Sequence, residues 1–141
     1  MADPNEQKPG EAVVFDVVFE DGLLFFEISN RATMSVTNVV AVFRKPVLAP
    51  DGVTDLTNLR IFKGIAFFAP GKAIRIFVDS VPSYFARRQP NIVHVVLTWR
   101  EGREIVSRKI AHDLRIYRDL PYIVGQGETA RRGVPFTSQT S

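Results

Sequence analysis

The sequence predicts an all-β fold in which about seven or eight short strands form an antiparallel sandwich. Apolar and polar residues alternate with a period of two in several stretches, the pattern of a strand with one face in a core. Tight-turn sequences such as Asp21-Gly22 and Pro70-Gly71 separate those stretches, and one short stretch alone carries helix signals. Two sheets packed face to face bury the apolar faces of that many short strands.

Length and composition indicate one globular domain. A chain of 141 residues, 45% of them hydrophobic, is long enough to bury a core, and without Cys it has no disulfide, thiolate metal site or thiol nucleophile. No apolar run approaches the roughly 18 residues that span a bilayer, and the acidic, polar N-terminus lacks the features of a secretory signal. We therefore expect a cytoplasmic protein, free or peripheral to a membrane complex.

The first two strands form a hairpin. Residues 1–11 carry prolines and a glycine without apolar periodicity, so they are expected to form an extended arm. Residues 13–19 then alternate between apolar and polar positions, and residues 24–28 do the same after Asp21-Gly22. Since Asp-Gly suits a type I′ turn, in which both central residues have positive φ, the two runs are predicted to pair antiparallel.

The middle of the chain supplies the next strands. Residues 36–43 are rich in β-branched residues and apolar on both faces, which predicts a central strand covered on both sides. After a polar connection, residues 59–62 and 65–68 are predicted as short strands. Pro70-Gly71 then turns the chain into a strand over residues 73–78, where alternate apolar side chains enter the core.

The last third predicts one helical turn and a second hairpin. Residues 80–90 begin with Ser80 as a helix cap and Pro82 in the permissive first turn. Residues 91–99 and 104–114 flank a turn and are expected to pair. From residue 125 the composition is that of a polar tail, so the predicted domains are an arm at 1–11, a sandwich at 12–124 and a tail at 125–141.

A family resemblance follows from three of these features. Asn30 ends the second strand, a β-branched strand follows at residues 39–43, and Pro70-Gly71 precedes the strand that crosses the sandwich. Over residues 12–115 this pattern resembles the bacterial immunoglobulin-like modules of the CARDB and fibronectin type III kind. The resemblance implies an immunoglobulin-like sandwich that binds or scaffolds other molecules and is not an enzyme.

One sequence motif suggests a nucleotide cofactor. Gly125, Gly127 and Ala130 satisfy the G-x-G-x-x-A pattern of dinucleotide-binding folds. That motif holds a pyrophosphate only where it opens a helix inside a βαβ unit, and eleven residues rich in Arg, Gly, Pro, Ser and Thr follow Ala130. We therefore predict no cofactor.

The histidines do not predict a metal site. His94 and His112 are the two imidazoles of the chain. With a turn at Glu101-Gly102, the hairpin register places His94 opposite Lys109 and His112 opposite Asn91, so the two rings are offset by several residues. A zinc site needs more ligands than this arrangement offers.

Catalytic groups are also missing from the pattern. No G-x-S-x-G sequence occurs, and no Ser can be matched to a base and an orienting acid. The carboxylates Glu101, Glu104 and Asp113 lie among Arg103, Arg108 and Lys109, which favours cross-strand ion pairs. The sequence therefore predicts no catalytic residues, no metal and no small-molecule substrate.

Charge is distributed unevenly along the chain. Residues 1–22 hold six acidic residues against one Lys, whereas residues 60–141 hold fourteen Lys and Arg against six Asp and Glu. A basic half of this kind suits an acidic protein surface, an anionic membrane surface or nucleic acid. The basic residues are spread singly along strands, and no RNA-binding signature accompanies them, so a protein partner is favoured over nucleic acid.

The function predicted from these features is that of an accessory or structural subunit. It binds protein partners in a larger assembly through the sandwich edges and the two arms. The alternative is a binding module for an anionic ligand, nucleic acid or lipid headgroups, that uses the basic half. Because Arg and Tyr are enriched at interfaces, we expect partner contacts from residues at one end of the sandwich and in the tail. These residues are Arg87, Arg88, Arg100, Arg103, Arg115, Tyr117, Arg118, Tyr122, Arg131, Arg132 and Phe136.

Overall fold

The computed structural model describes residues 11–119, which fold into two antiparallel sheets packed face to face. The first sheet has three strands in the order β1-β2-β5, and the second has four in the order β4-β3-β6-β7. This arrangement confirms the predicted all-β sandwich. The strands are β1 (Val13–Glu20), β2 (Leu23–Asn30), β3 (Val36–Phe43), β4 (Ile65–Phe68), β5 (Ala73–Ser80), β6 (Ile92–Glu101) and β7 (Glu104–Asp113).

Short helical segments lie between strands or follow the last strand. The 3-10 turn Leu56–Asn58 leads into α1 (Arg60–Lys63), α2 (Val81–Ala86) follows β5, and the 3-10 turn Leu114–Arg118 follows β7. Ser80 caps α2 as predicted, since its side chain accepts a hydrogen bond from the Ser83 amide. None of the helices in the described part of the chain is long and apolar enough to cross a membrane.

The two turns on which the prediction depended form as expected. Asp21 and Gly22 have φ of 54° and 78°, so β1 and β2 are joined by the type I′ geometry. At Pro70-Gly71 the Lys72 amide donates to the Ala69 carbonyl at 3.2 Å, and Gly71 has φ of 78°, as position three of a type II turn requires. This turn carries the chain from β4 in one sheet to β5 in the other.

One predicted strand is wrong. Residues 59–62 belong to α1 and its N-cap, where the Phe62 amide donates to the Leu59 carbonyl at 2.9 Å. Leu59 and Phe62 both pack into the core, a spacing of three that one helical turn satisfies. Because a four-residue apolar run fits either element, its periodicity could not decide between them.

The predicted register of the second hairpin is also wrong. Glu101 pairs with Glu104, so the loop consists of Gly102 and Arg103, one position later than expected. Gly102 takes φ of 61°, the first position of a type II′ turn. His94 therefore lies opposite Ala111, and His112 lies opposite Val93.

The core lies between the sheets and is centred on aromatic rings. Phe15 of β1 packs against Phe26 of β2 at 5.2 Å between ring centroids, against Phe43 of β3 at 5.4 Å and against Phe62 of α1 at 6.2 Å. Trp99 of β6 is 1% exposed, and its indole nitrogen donates to a Glu101 carboxylate oxygen at 2.8 Å. Both sheets and α1 thus contribute to one core.

Asn30, at the end of β2, fastens three segments together from a buried position. Its side-chain amide donates to the Phe68 and Met34 carbonyls, each at 3.0 Å, and its side-chain oxygen accepts from the Ala32 amide at 2.9 Å. Its backbone carbonyl accepts from the Gly71 amide at 2.8 Å. The Asn that the sequence pattern placed at the end of the second strand therefore anchors the Pro70-Gly71 turn.

Candidate functional site

The predicted contact residues do not gather at one end of the sandwich. Arg100 and Arg103 lie at the β6–β7 turn, while Arg87, Arg88, Arg115, Tyr117 and Arg118 lie near the start of β6. Eight residues of strand separate Ile92 from Arg100, a distance of about 27 Å. The expectation of one shared basic end is therefore wrong, because β6 is too long to bring its two ends together.

Arg87 has a structural role. Its guanidinium pairs with the Asp79 carboxylate at 2.7 Å, where the Asp79 side chain is 4% exposed. It also donates to the backbone carbonyls of Leu48 and Ala49 at 2.9 and 3.0 Å. We call this set of contacts the Arg87 clamp; it joins β5 and α2 to the loop that follows β3.

Tyr117 is buried against the outer edge of β1. Its ring stacks on Phe19 at 5.4 Å, and its hydroxyl donates to the Val17 carbonyl at 3.4 Å. His112 approaches the same edge, with its Nε2 atom 2.8 Å from the Phe15 carbonyl oxygen. These contacts cover part of the β1 edge, which a partner strand would otherwise pair with.

The remaining arginines of the set are more exposed. Arg115 forms two short contacts with Asp113, at 2.7 and 2.9 Å, and this arginine lowers the pKa of the Asp113 carboxyl to about 2. The Arg118 guanidinium lies over the Phe85 ring at 4.6 Å. Arg88, Arg100 and Arg103 are exposed. Tyr122, Arg131, Arg132, Phe136, the Gly125–Ala130 motif and nearly all of the two arms lie outside the described residues.

The structure reveals an exposed apolar surface that the sequence did not predict as a site. On the solvent side of the four-stranded sheet, Val42, Phe67 and Ile105 are 60%, 63% and 66% exposed. Large apolar side chains of this exposure on one sheet face are typical of interaction surfaces. We name this surface the basic face. Its members are Thr37, Val40, Val42, Arg44, Phe67, Ile92, His94, Val96, Thr98, Arg100, Ile105, Ser107, Lys109, Ala111 and Asp113.

Strand register aligns these side chains in rows across the sheet. Thr37 pairs with Phe67 on one side and Arg100 on the other, and Arg100 pairs in turn with Ile105. A second row runs from Val42 through Val96 to Lys109. Residues in register on one face lie about 5 Å apart. Each row therefore places a cation within reach of apolar side chains.

The charge of this face is predominantly positive. Arg44, Arg100 and Lys109 project from it, and its one carboxylate within residues 11–119, Asp113 at the end of β7, pairs with Arg115 at 2.7 Å. Arg44 belongs to the face because its amide continues the ladder to the His94 carbonyl at 3.0 Å, two residues beyond Val42. The face is therefore both apolar and positively charged.

Two connected depressions lie at one end of the basic face. The first has a volume of about 450 Å³ and lies between Val42, Arg44, His94, Val96 and Lys109. The second, of about 330 Å³, adds Lys45 and Arg115 to Arg44 and His94. The residues that line them include both cations and apolar side chains. Such a lining fits a ligand that carries a carboxylate or phosphate next to an apolar group.

A β-bulge shapes the other end of the face. The register of β3 against β6 breaks between Thr37 and Val40, and Asn38 in the break has φ of 53°. Asn tolerates this left-handed conformation better than most residues. The bulge places the exposed Asn38 side chain beside the row that contains Phe67 and Arg100.

Ionisable groups elsewhere are arranged for structure. Hydrogen bonds from Thr54 and Val53 lower the pKa of Asp51 to about 2 in an exposed turn, and burial raises the pKa of Tyr84. The Tyr84 hydroxyl donates to the Pro90 carbonyl at 2.6 Å. In the described range no group of three or more His, Asp or Glu side chains is placed to hold a metal ion.

The sequence of β3 carries the apolar pattern from which the basic face is built. Residues 36–43 are apolar on both faces, which predicted a central strand covered on both sides. β3 is indeed central in its sheet, but Val42 is exposed because none of the described elements packs on that side. Apolar residues on the second face of a strand indicate either burial or an exposed binding surface, and the sequence alone does not distinguish them.

Comparison of this chain with protein-family models, with curated proteins and with solved structures found no match.

Proposed function

We propose that this protein is a non-enzymatic accessory subunit, of the immunoglobulin-like kind, that binds a protein partner through its basic face. The observation that carries the proposal is the joint exposure of Val42, Phe67 and Ile105 on one face where, among the described residues, three cations outnumber the single carboxylate of Asp113. An apolar centre with charged groups among and around it is the composition of a protein interface.

The shape of the face supports a protein partner. Four strands spaced about 4.8 Å apart and about eight residues long present roughly 500 Å² of nearly flat surface. A small ligand needs a concave site that encloses most of its surface, whereas a flat face suits another folded surface. The arms at residues 1–11 and 125–141 are proposed to add contacts to the same partner.

A second candidate is a binding module for an anionic ligand. The depression bounded by Arg44, Lys45, His94 and Arg115 favours a phosphate, as in a lipid headgroup or nucleic acid. Binding that depends on phosphate contacts weakens steeply with salt, because counterions are released on binding. Binding centred on Val42 and Phe67 is expected to persist at moderate salt, since apolar burial is not screened.

Cross-linking of the natively purified assembly tests the proposal. An amine-reactive reagent should link the partner to Lys109 in the basic face and to Lys45 in the depression beside it, and leave Lys63 in α1 and Lys72 in the Pro70-Gly71 turn unlinked. These lysines are all exposed, so reactivity alone does not favour one over another. Links confined to Lys63 and Lys72, or elution of the protein alone at low and moderate salt, would contradict the proposal.

A further inference from the structure

The three-stranded sheet has an outer face of opposite charge. Asp16, Glu20 and Glu27 project from it together with Arg75. Arg75 is neutralised locally, since its guanidinium contacts Glu20 at 2.8 Å and Glu27 at 3.1 Å. Three carboxylates against one guanidinium leave this surface, which we name the acidic face, with a net negative charge.

The acidic face also exposes apolar groups. Val18, Phe25 and Phe77 lie in register across its three strands, and Phe77 is 45% exposed. Phe25 and Phe77 are in edge contact at 5.9 Å, and the Arg75 guanidinium lies 5.3 Å above the Phe25 ring. Val18 is 7% exposed, so Phe77 is the exposed apolar residue of this row; the acidic face therefore offers a smaller apolar centre than the basic face, with a net charge of the other sign.

We infer that the occupant of the basic face is the acidic face of a second copy of this chain. Two basic faces repel each other, and so do two acidic faces, which disfavours both symmetric face-to-face dimers. The unlike faces attract and bring apolar rows together. This inference rests on the proposed function, because it takes the basic face as a contact surface. It names a second copy of this chain as the partner of that surface.

The geometry predicts an open stack. The two faces lie on opposite sides of one sandwich, so a contact between unlike faces leaves a free face at each end of the pair. Such a head-to-tail contact does not close on itself, and further copies add to either end. The average mass is therefore expected to rise continuously with protein concentration.

The contact is expected to be weak. Three strands about 4.8 Å apart and eight residues long, at about 3.3 Å per residue, present roughly 400 Å² on the smaller face. The pair then buries roughly 800 Å² in total, below the 1,200 to 2,000 Å² or so of stable interfaces. Assembly should therefore need high protein concentration and should reverse at high salt.

Sedimentation of the full chain tests the inference, with Lys109→Glu and Glu27→Lys as the disrupting variants. At low salt the weight-average mass of the wild type should rise above the 15.8 kDa monomer as concentration increases, and return to it at high salt. Each variant removes most of the charge attraction at one face, and because the contact is weak it should remain at monomer mass. Arg60→Glu in α1 and Glu104→Lys at the β6–β7 turn make the same charge changes away from both faces and should stack like the wild type.

Mixing the two variants separates a stack from other assemblies. Lys109→Glu retains an intact acidic face and Glu27→Lys an intact basic face, so an equal mixture should form a one-to-one dimer and nothing larger. Circular dichroism checks that each variant is folded, and Phe77→Lys replaces Glu27→Lys if the latter fails this check. A wild type that stays monomeric at every concentration, variants that stack normally, or a mixture that grows beyond dimers would overturn the inference.

The outcome also separates this inference from the proposed function. If the wild type stays monomeric but a foreign partner still cross-links to Lys109, the second-copy inference fails and the proposed function stands. If copies stack and the foreign partner links to the protein away from the basic face, the proposed partner site is wrong while the stack is supported.

Discussion

Single residues hold the turn between the two sheets. Gly71 has φ of 78°, and its amide donates a hydrogen bond to the backbone carbonyl of Asn30. The buried side-chain amide of Asn30 donates in turn to the Met34 and Phe68 carbonyls. The sequence predicted the turn because Pro-Gly has a strong local preference that needs no tertiary contact. It gave no indication of the side-chain bonds of Asn30, which depend on segments 38 residues apart meeting in space.

Gly71→Ala should destabilise the protein by about 1 kcal/mol. A Cβ at this position would meet no atom within 4 Å, so the cost comes from positive φ and not from a clash. Gly64→Ala is the matched control, because Gly64 also has open space but lies at φ of 166°, an extended conformation open to any residue. Urea unfolding of both variants measures the difference, and equal stabilities would show that the turn conformation is misassigned.

Asn30→Ala should lower the free energy of unfolding by about 2 to 4 kcal/mol. The substitution leaves the Phe68 carbonyl buried without its donor and removes the acceptor of the Ala32 amide. The exposed Asn58→Ala, at the end of a 3-10 turn, should change it by less than about 0.5 kcal/mol. Chemical denaturation gives both values, and a loss below about 1 kcal/mol for Asn30→Ala would contradict an anchoring role.

Secondary-structure elements were predictable where local chemistry determines them. The β1–β2 hairpin and the β4–β5 crossing formed as expected, because Asp21-Gly22 and Pro70-Gly71 each admit few turn types. The predicted β6–β7 turn is wrong by one residue, because Gly102 can occupy either central position of a two-residue hairpin turn. Leu59 and Phe62 suit both a strand and a helical turn, and packing against β3 decides for the helix.

The Arg87 clamp secures α2 and the loop after β3, so Arg87→Ala should destabilise the protein by about 3 kcal/mol or more. The loss leaves the Asp79 carboxylate, 4% exposed, without its counter-ion and removes the guanidinium donor of the Leu48 and Ala49 carbonyls, of which Ala49 still accepts from the Gly52 amide. The neighbouring exposed Arg88→Ala should be close to neutral. Thermal unfolding compares the two variants. A similar melting temperature for both would show that Arg87 does not stabilise the fold and is again a candidate partner contact.

The whole molecule is a sandwich with faces of unlike charge. Sequence counts showed acidic residues 1–22 and basic residues 60–141. Only the strand order converts that difference into two surfaces, since β1, β2 and β5 form the acidic face while β3, β4, β6 and β7 form the basic one. The exposure of the basic face could not be predicted, because an apolar second face on a strand looks the same whether it is covered or open.

The central claim is that the basic face binds a protein partner, and Val42→Asp compared with Val53→Asp tests it most directly. Both valines are exposed, at 60% and 81%, but Val42 lies in the middle of the basic face and Val53 in the loop after β3. Recovery of the natively associated partner should fall at least tenfold for Val42→Asp, about 1.4 kcal/mol of binding free energy, and remain at the wild-type level for Val53→Asp. Equal recovery with the two folded variants would contradict the account.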